Sequence, residues 1–469
     1  MDETKLNPLA LKMAKDLMIA RPSVPLATAI GVANYKLANI CSQLKIQVNT
    51  RSGYGNTPAN IYQLLLLNSG GGKGATLTLI DNFYFKDAFT YMKEVVYPKF
   101  KAKALDRLEM EENDRPIHEW VKSNSNFTTS GMFAYAESYE LSKIGGLNIE
   151  VDEIGNAVTS KAELFELLLQ PYDNGILDPV GKRTDPDAMS IKGMSINMYC
   201  FGNKVRLFEG DNVEFSFIKL LDEGYGRRMI FIDDVSEPKS KTPEDIVREM
   251  KASEDIVEKR KEDREFIKSL ITRSNLGKVM ELDDEALYEF AKIKADGDNY
   301  VIENKGLQPA VKSDMSERVF KTAKLAGIYA FFDGSDKIEA KHMIQAFEII
   351  KYSSEVLKDL RKIRPLHKRL LERLLDEPKA VTSQHCLSYP FIPSGWSKKV
   401  NEIILLAKEL ASEEGLVWDE KSVKGVMYYS VSEDIVNANK ELEEEDVVAI
   451  KEEDVVTDEE EALLALLYE

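Results

Sequence analysis

The chain has 469 residues, 43% of them hydrophobic and 30% charged, and its formal net charge is −18. That balance is typical of a globular protein long enough for two or three domains. Its three cysteines, far apart in the sequence, and its four histidines argue against disulfides and a structural zinc site, and favour a reducing cytosol. Without a run of about eighteen apolar residues or a signal-peptide pattern at the start, we expect a cytoplasmic protein with no membrane span.

Two segments precede the first informative motif. Residues 1–50 have a mainly helical pattern, broken by Pro22 and Pro25, and we interpret them as an N-terminal helical segment. Residues 51–60 are rich in Gly, Asn and Thr and predict a loop. An α/β domain is then predicted, and with that loop it occupies residues 51–235.

The motif is an apolar run, Leu64–Leu67, followed by three glycines, Lys73 and a helical pattern. Strand, glycine-rich turn, lysine and helix is the layout of a phosphate-binding loop. Backbone N–H groups of the glycines would cradle phosphate oxygens, the helix N-terminus would add a favourable dipole, and Lys73 would reach the β- and γ-phosphates. The predicted nucleotide-binding residues are Ser69, Gly70, Gly71, Gly72, Lys73, Gly74, Ala75 and Thr76.

The match to the pattern G-x-x-x-x-G-K-[ST] is incomplete. Leu67 stands where the first glycine belongs, and Gly74 stands where a metal-binding hydroxyl belongs. Thr76 would partly substitute for that hydroxyl, with water bridging to Mg²⁺. The alternative interpretation is a glycine-rich turn followed by an unrelated lysine.

A second motif is a β-rich run that ends in Asp152 and Glu153. ATPases of the additional-strand type need such a pair, because the Asp holds the hydrated Mg²⁺ and the Glu polarises the attacking water. An acidic pair after a strand also occurs on solvated loops, but it is less expected by chance one or two βα units after a phosphate loop. We therefore predict that both residues are catalytic and that Asp152 is a metal ligand together with Thr76.

Two further predicted strands carry candidate catalytic residues. In this class of ATPase, a polar residue at the end of a third strand contacts the γ-phosphate, and Asn203 and Asn197 are the candidates. The alternative is a core strand with a turn asparagine. Arg227 and Arg228 precede the apolar strand Met229–Ile232. An arginine there can act as a finger across a subunit interface, whereas the alternative is a surface arginine pair.

These motifs, in this order, resemble those of a family of P-loop ATPase domains from phage and mobile-element replication proteins, including the helicase half of primase-helicases. The resemblance covers roughly residues 20–375 and depends on the ordered set, since no single motif is highly specific. The segments that carry it are Ser69–Lys73, Thr129–Phe133, Val151–Gly155, Leu168–Gly175 and Gly226–Ile232.

The resemblance implies an AAA+/RecA-like core that binds ATP and Mg²⁺. It also implies a homo-oligomeric ring, which we expect to be a hexamer. Such a ring would act on single-stranded DNA in the cytoplasm of a bacterial host. Ring helicases of related design carry pore loops in an insertion before the third strand. Lys182, Arg183 and Lys192 flank a polar segment at that place. They are the candidate DNA contacts, which would be electrostatic and salt-sensitive. The alternative is a solvated loop with scattered charge.

Residues 236–365 are predicted to form a helical lid behind a linker with two prolines. Within it, Ser316–Ala330 has apolar residues at helical spacing and resembles the lid helix of AAA+ ATPases. An early arginine of that helix senses the γ-phosphate, so Arg318 is the candidate sensor. A structural salt bridge is the alternative role for this residue.

Residues 366–431 predict three helices and a β-hairpin, the elements of a winged-helix-like module. In a DNA-binding version, the third helix enters the major groove and the wing contacts the backbone. The basic residues that could serve this purpose are Lys398, Lys399, Lys408, Lys421 and Lys424. Acidic residues on the third helix keep a protein-contact role open.

The last segment, residues 432–469, is an acidic tail. Residues 441–469 contain thirteen acidic residues and one lysine, a local charge of −12 that leaves −6 on the remaining chain. This composition predicts disorder. The apolar end, Ala462–Tyr468, predicts a short helix that recruits replication proteins, and a purely solubilising tail is the alternative.

Two classes of function follow from these predictions. The first is an ATP-driven ring helicase or translocase for phage-type DNA replication, in which the lysine and acidic pair of one subunit face an arginine of the next. The second is a non-motor ATP switch, such as a helicase loader or a DNA- or partner-binding replication regulator. The departures from the phosphate-loop pattern keep this second class open.

Overall fold

A computed structural model describes residues 1–51, 53, 55–67, 73–109, 117–125, 128–178, 190–208, 212–233, 240–361, 366–377, 379–389, 392 and 400–432. For residues 73, 205, 206, 212 and 366 it describes the backbone only. Several predicted functional residues lie outside this part of the chain, namely Ser69, Gly70, Gly71, Gly72, Lys182, Arg183, Lys398, Lys399 and the tail from residue 433. The chain divides into two compact units, Met1–Ile363 and Arg364–Glu469.

The first unit is mixed α/β, which confirms the predicted class. Its strands are β1 (Gln47–Asn49), β2 (Asn56–Pro58), β3 (Tyr62–Leu66), β4 (Leu147–Val151), β5 (Ile196–Gly202), β6 (Met229–Asp233), β7 (Val279–Leu282) and β8 (Lys337–Ile338). Its helices are α1 (Pro8–Ala20), α2 (Leu26–Gln43), α3 (Lys73–Ile80), α4 (Lys86–Tyr91), α5 (Tyr97–Arg107), α6 (Thr129–Ser142), α7 (Ile154–Ser160), α8 (Ala162–Asn174), α9 (Lys204–Leu207), α10 (Asn212–Leu220), α11 (Gly226–Arg228), α12 (Pro243–Lys259), α13 (Lys261–Ser269), α14 (Asp284–Glu303), α15 (Pro309–Phe332) and α16 (Ala340–Arg361). Among the described helices, none is long and apolar enough to cross a lipid bilayer.

The central sheet has the strand order β4–β5–β3–β6, and each neighbouring pair is parallel. Every residue of β3 and β5 is buried, as expected for parallel strands whose two faces are covered. Outside β4, Asn124 forms a parallel bridge with Ile149. Along the opposite edge, the Phe231 N–H of β6 donates to Ser353 Oγ of α16 at 2.8 Å. Helix α16 therefore satisfies an edge-strand donor that would otherwise invite another chain.

Helix α2 is part of this core. Its residues from Thr28 to Gln43 are all buried, and Gly31 lets it approach the sheet closely. A Cβ atom at that position would lie 2.6 Å from Gln63 Nε2 of β3. The predicted N-terminal helical segment, residues 1–50, thus contributes directly to the packing of the central sheet.

Helix α15 crosses the amino-terminal edge of the central sheet. Its Lys321 donates to the carbonyl oxygen of Met229, the first residue of β6, at 2.8 Å. Its Lys324 donates to the Pro58 carbonyl, just before β3, at 2.7 Å. Helices α14 and α16 pack on α15, and a small second sheet of order β2–β1–β7–β8 lies in the same unit. These helices leave the carboxyl-terminal edge of the sheet to other elements.

In the second unit, the described residues form three helices and an antiparallel sheet of order β10–β11–β9. Its elements are α17 (Leu366–Asp376), β9 (Val381–Thr382), α18 (Ser383–Leu387), α19 (Val400–Glu413), β10 (Val417–Val423) and β11 (Val426–Ser432). Lys424 and Gly425 join β10 to β11 with φ angles of 52° and 87°, the signature of a two-residue type I′ hairpin turn. Its apolar core includes Leu370, Leu371, Leu374, Ile403, Ile404 and Ala407.

Candidate active site

The candidate site is the edge of the central sheet at which its parallel strands have their carboxyl ends. Open parallel sheets bind ligands in the crevice at this edge, where the strand order reverses. In the order β4–β5–β3–β6, the chain runs from β3 to strands on one side and finally to β6 on the other. The reversal therefore falls at β3, the strand that the three glycines follow in the sequence.

Two polar residues flank the point at which the chain leaves β3. The Leu67 N–H donates to the Gly202 carbonyl at 2.9 Å, so β3 stays paired with β5 up to the last described residue before the glycines. Asn203 follows Gly202 directly and is half-buried. On the other side, Asp233 of β6 is in register with Leu66. These two residues therefore flank the carboxyl end of β3.

The acidic pair reaches the same edge from β4. Val151 is in register with Cys200, which places Asp152 and Glu153 level with the last two residues of β5. Since β5 lies between β4 and β3, and neighbouring strands are about 4.8 Å apart, the acidic pair is about 10 Å from the end of β3. In the strand order of the sheet, β4 and β3 are separated by β5 alone.

The two carboxylates have different surroundings. Asp152 is exposed and Glu153 is half-buried, with its Oε1 shielded from solvent. A Cβ atom at Gly155 would lie 3.5 Å from that oxygen, and one at Gly202 would lie 3.0 Å from Ile154. The two glycines therefore leave room for the turn that carries Glu153. An exposed carboxylate suits a hydrated cation, and a sheltered one suits the orientation of a single water.

An ion pair that the sequence did not reveal crosses the end of β3. Lys204 Nζ lies 2.7 Å from Asp233 Oδ2. Lys204 follows β5 and Asp233 ends β6, and these are the two strands that flank β3. The Tyr352 hydroxyl donates to the Asp233 carbonyl at 3.1 Å, which fixes the end of β6. The only sequence signal for either residue was its position directly after a buried apolar strand.

A buried ion network ties the helix after the glycine turn to the acidic strand. Lys36 of α2 is 1% exposed and lies 3.2 Å from Asp81 and 3.8 Å from Glu150. Lys122 also pairs with Asp81. Asp81 directly follows α3, and Glu150 lies two residues before Asp152. The network thus sets the position of α3 relative to the strand that ends in the acidic pair.

The aromatic and thiol groups behind this network stay protonated near neutral pH. Tyr35 stacks on Tyr199 with ring centres 4.4 Å apart. Burial, and then the charge of Glu150, raise the pKa of both phenols. Burial likewise raises the pKa of the Cys200 thiol. A raised pKa keeps these three groups neutral, so they add no charge to the buried ion network.

Helix α3 places one of its threonines in the interior. Thr76 is 2% exposed, whereas Gly74 and Ala75 are exposed. Thr78 Oγ1 donates to the Gly74 carbonyl at 3.0 Å within the helix. Within the described part of the chain, no three His, Cys, Asp or Glu residues are grouped to hold a metal ion.

The structure distinguishes the two neighbouring arginines. Arg228 is buried, pairs through Nε with Asp173 at 3.1 Å and donates through Nη1 to the Gly224 carbonyl at 2.9 Å. Arg227 has a side chain 38% exposed and lies 3.8 Å from the same carboxylate. Both precede β6, so within one chain they lie at the opposite edge of the sheet from the acidic pair. Of the two, Arg227 is the one that a neighbouring molecule could reach.

Two other candidates also lie at the amino-terminal edge. Arg318 is half-buried on α15, with its guanidinium 5.1 Å from the centre of the Phe347 ring, and a single chain does not bring it to the acidic pair. Asn197 is fully buried near the start of β5. It accepts from the Ile61 N–H at 2.9 Å and donates to the Ala38 carbonyl at 3.0 Å. Its candidacy for a γ-phosphate contact is wrong, because it lies at the other end of the strand.

Of the three candidate DNA contacts, Lys192 alone lies in the described residues. It is exposed and follows the antiparallel bridge between Leu177 and Ile191. The bridge pairs the segment that follows α8 with the segment that precedes β5. The insertion was predicted between these two segments.

No protein-family model matches this chain, and no curated protein matches it.

Proposed function

We propose that the first unit is a P-loop ATPase core of the AAA+/RecA-like type, and that the protein is an ATP-driven helicase or translocase acting on single-stranded DNA. The observation that carries the proposal is the order of the parallel strands. The strand before the glycine turn and the strand before the acidic pair are separated by an additional strand, β5, which Asn203 directly follows. This is the arrangement after which the additional-strand ATPases are named.

In this proposal, the backbone of the glycine turn and Lys73 hold the β- and γ-phosphates. Asp152 would hold a hydrated Mg²⁺, which when bound supplies positive charge against the phosphates. Glu153, sheltered at the start of α7, orients and polarises the attacking water. Asn203, directly after the strand between them, would contact the γ-phosphate and that water. The half-burial of Glu153 and the exposure of Asp152 support this division of roles.

The position of Arg227 supports action between subunits. It is partly exposed at the edge opposite the acidic pair, so its guanidinium would serve the site of a neighbouring copy rather than its own. A ring, expected to be a hexamer, closes such head-to-tail contacts. Arg318, at the same edge, is proposed to act on the same neighbouring site. Turnover would then depend on assembly, and an isolated subunit would be nearly inactive.

The remaining assignments follow from the same proposal. Helices α14–α16 form the lid, and the second unit is a winged-helix-like module, because its elements occur in the order helix, strand, helix, helix, hairpin. Lys192, together with Lys182 and Arg183, would contact DNA in the ring channel. The acidic tail would recruit other proteins of a phage-type replication system.

The proposal is tested by steady-state ATP hydrolysis with and without single-stranded DNA. We expect DNA to stimulate turnover, and Lys73→Ala and Glu153→Gln each to reduce it about 100-fold or more. Glu153→Gln should still bind ATP. Lys351→Ala and Glu303→Gln, which change exposed residues of α16 and α14, are matched controls and should hydrolyse ATP like the wild type. Undiminished hydrolysis in Glu153→Gln would contradict the proposal.

A second candidate is a non-motor ATP switch, such as a helicase loader. It is favoured by Gly74, which leaves the usual hydroxyl position empty, while the nearest buried hydroxyl belongs to Thr76. Weak Mg²⁺ ligation would permit nucleotide binding with little hydrolysis. ATP binding without turnover, in a protein that stays monomeric at all concentrations, would support the switch over the motor.

A further inference from the structure

Helix α19 of the second unit exposes apolar surface on its outer face. Its inner face is buried in the core of that unit. On the outer face, the side chains of Leu405 and Leu406 are 57% and 46% exposed. Single exposed leucines are ordinary, but two adjacent ones on the helix that a winged-helix protein would present to a ligand are informative.

Acidic residues border these leucines along the helix. Glu402 lies one turn before them and Glu409 one turn after, at the three- and four-residue spacings that place side chains on the same face. Both glutamates are exposed, and so is Glu413 one turn further. We call the surface formed by Glu402, Leu405, Leu406 and Glu409 the α19 face. It is an apolar centre between carboxylates.

Within the described residues of α19, the one basic side chain is already paired. Lys408 Nζ lies 3.0 Å from Glu420 Oε1 of β10, and Trp418 Nε1 donates to the same oxygen at 3.0 Å. Among its own described residues, Val400–Glu413, the helix therefore presents exposed carboxylates on its outer face with no basic side chain beside them that is not already paired. Proteins bind the DNA backbone by neutralising phosphates with lysine and arginine, so this face would repel a duplex.

We propose that the α19 face docks a protein segment with apolar side chains flanked by lysine or arginine, such as a basic amphipathic helix. The leucines would supply apolar burial, and the carboxylates would orient the partner and speed its association. Two-fold pairing with a second copy is disfavoured, because it would bring the same carboxylates together. The inference concerns the second unit and does not depend on ATP hydrolysis by the first.

The test uses the full chain and a labelled amphipathic peptide of leucine and lysine, with a scrambled peptide of the same composition as a control. Binding is measured by fluorescence anisotropy. The variants are Leu405→Ser/Leu406→Ser and Glu402→Lys/Glu409→Lys, which change exposed side chains and should keep the fold. Matched controls in the first unit are Ile302→Ser and Glu254→Lys/Glu258→Lys, also at exposed positions.

We expect both α19 variants to weaken binding of the amphipathic peptide about 10-fold or more, and the control variants to change it less than about two-fold. The scrambled peptide should bind more weakly than the amphipathic one. Equal binding of the two peptides, or peptide affinity unchanged in both α19 variants, would overturn the proposal.

The same variants test two other possible ligands of the α19 face, a DNA duplex and a second copy of the chain. If Leu405→Ser/Leu406→Ser weakened binding of a labelled DNA duplex about 10-fold, the face would be a DNA contact and the proposal would be wrong. If the same variant reduced self-association in sedimentation velocity, the occupant would be a second copy and the proposal would also be wrong. Unchanged duplex affinity and self-association are the expected results.

Discussion

Lys204 and Asp233 form an ion pair, with 2.7 Å between Nζ and Oδ2, across the carboxyl end of the strand that precedes the glycine turn. The lysine side chain is 47% exposed and the carboxylate 16% exposed. A polyanion held by the glycines would lie beside both charges. The lysine would attract it and the carboxylate would repel it. Because the two charges are opposite, the pair as a whole adds little net charge beside the proposed site.

Removing the charge of Lys204 and removing the charge of Asp233 should therefore change the affinity for ATP in opposite directions. Lys204→Ala leaves the carboxylate facing the phosphates and should weaken ATP binding, whereas Asp233→Asn frees the lysine and should tighten it. A unit charge several Å away near a protein surface is worth about 1 kcal/mol, or about five-fold in Kd. Titration of a fluorescent ATP analogue at low ionic strength measures both values.

The control for this pair is Lys219→Ala, which removes one partner of the exposed Lys219–Glu223 ion pair of α10 and the turn that follows it. It should leave the Kd for ATP unchanged. If Lys204→Ala and Asp233→Asn both weakened ATP binding, the ion pair would support the folded structure of the site, and its charges would not act on the bound phosphates.

Substitution of Asn197 in β5 and of Asn203 directly after it should affect different properties: Asn203 the rate of ATP hydrolysis, and Asn197 the stability of the fold. Asn203→Ala should lower the kcat for ATP about 100-fold with little change in stability, because the side chain lies at the reacting edge. Asn197→Ala should lower the free energy of unfolding by about 3 kcal/mol, because it leaves the Ile61 N–H and the Ala38 carbonyl buried without partners. Urea unfolding and ATP hydrolysis on the folded fraction distinguish the two, and equal destabilisation would contradict the assignment.

The neighbouring arginines give a second matched pair. Arg228→Ala should cost about 2 kcal/mol of stability, because a buried guanidinium that bonds Asp173 and the Gly224 carbonyl is lost while Asp173 remains partly solvated. Arg227→Ala should change stability by less than about 0.5 kcal/mol. Instead it should abolish turnover of the assembled protein without weakening ATP binding. Normal turnover in Arg227→Ala would exclude this residue as the arginine supplied to a neighbour.

Lys324 predicts a pH dependence of stability. It is 4% exposed and donates to the Pro58 carbonyl, Asn60 Oδ1 and the Tyr172 carbonyl, each at 2.7 Å. Burial lowers the pKa of this amine to about 7, opposed by the charge of Asp173. In the unfolded chain the pKa is near 10.5, so between these values the unfolded state binds more protons. The free energy of unfolding should therefore rise with pH in this window, by about 1 kcal/mol per unit at most.

The comparison that isolates this effect is urea unfolding at pH 7 and pH 9 for the wild type and Lys324→Met. The variant should be less stable at neutral pH, because three buried acceptors lose their donor, and it should lack the rise with pH. Lys351→Met, at an exposed position, should keep the rise. An identical pH dependence in wild type and Lys324→Met would show that the titrating group lies elsewhere.

Sequence patterns were sufficient to identify the elements of the central sheet. Most residues of β3, β5 and β6 form apolar runs, as expected for strands buried on both faces, whereas β4 mixes apolar and polar residues and was recognised from its β-rich composition before the acidic pair. By contrast, α2 was not recognised as core. It buries polar residues, among them Lys36, which finds charged partners in Asp81 and Glu150. A pattern of apolar spacing cannot show that a polar residue has a partner far along the chain.

The same limit applies to the site. Asn197 and Asn203 belong to one apolar run, and only the direction of the strand tells which of them faces the carboxyl edge. Arg227 and Arg228 are adjacent, and only burial separates them. Lys204 and Asp233 are 29 residues apart in the sequence, and their contact depends on both flanking strands being parallel to β3. Each distinction is a property of the packed sheet rather than of the local sequence.

Isothermal titration of the purified chain with ATP and Mg²⁺ decides whether the carboxyl edge of the central sheet binds a nucleotide. We expect binding in roughly the micromolar to millimolar range usual for ATP-using enzymes. We also expect a loss of about 100-fold or more in Lys73→Ala, with Lys351→Ala unchanged. Failure of the wild-type chain to bind any nucleotide, or equal affinity in Lys73→Ala, would contradict the claim that the carboxyl edge of this sheet is a nucleotide site.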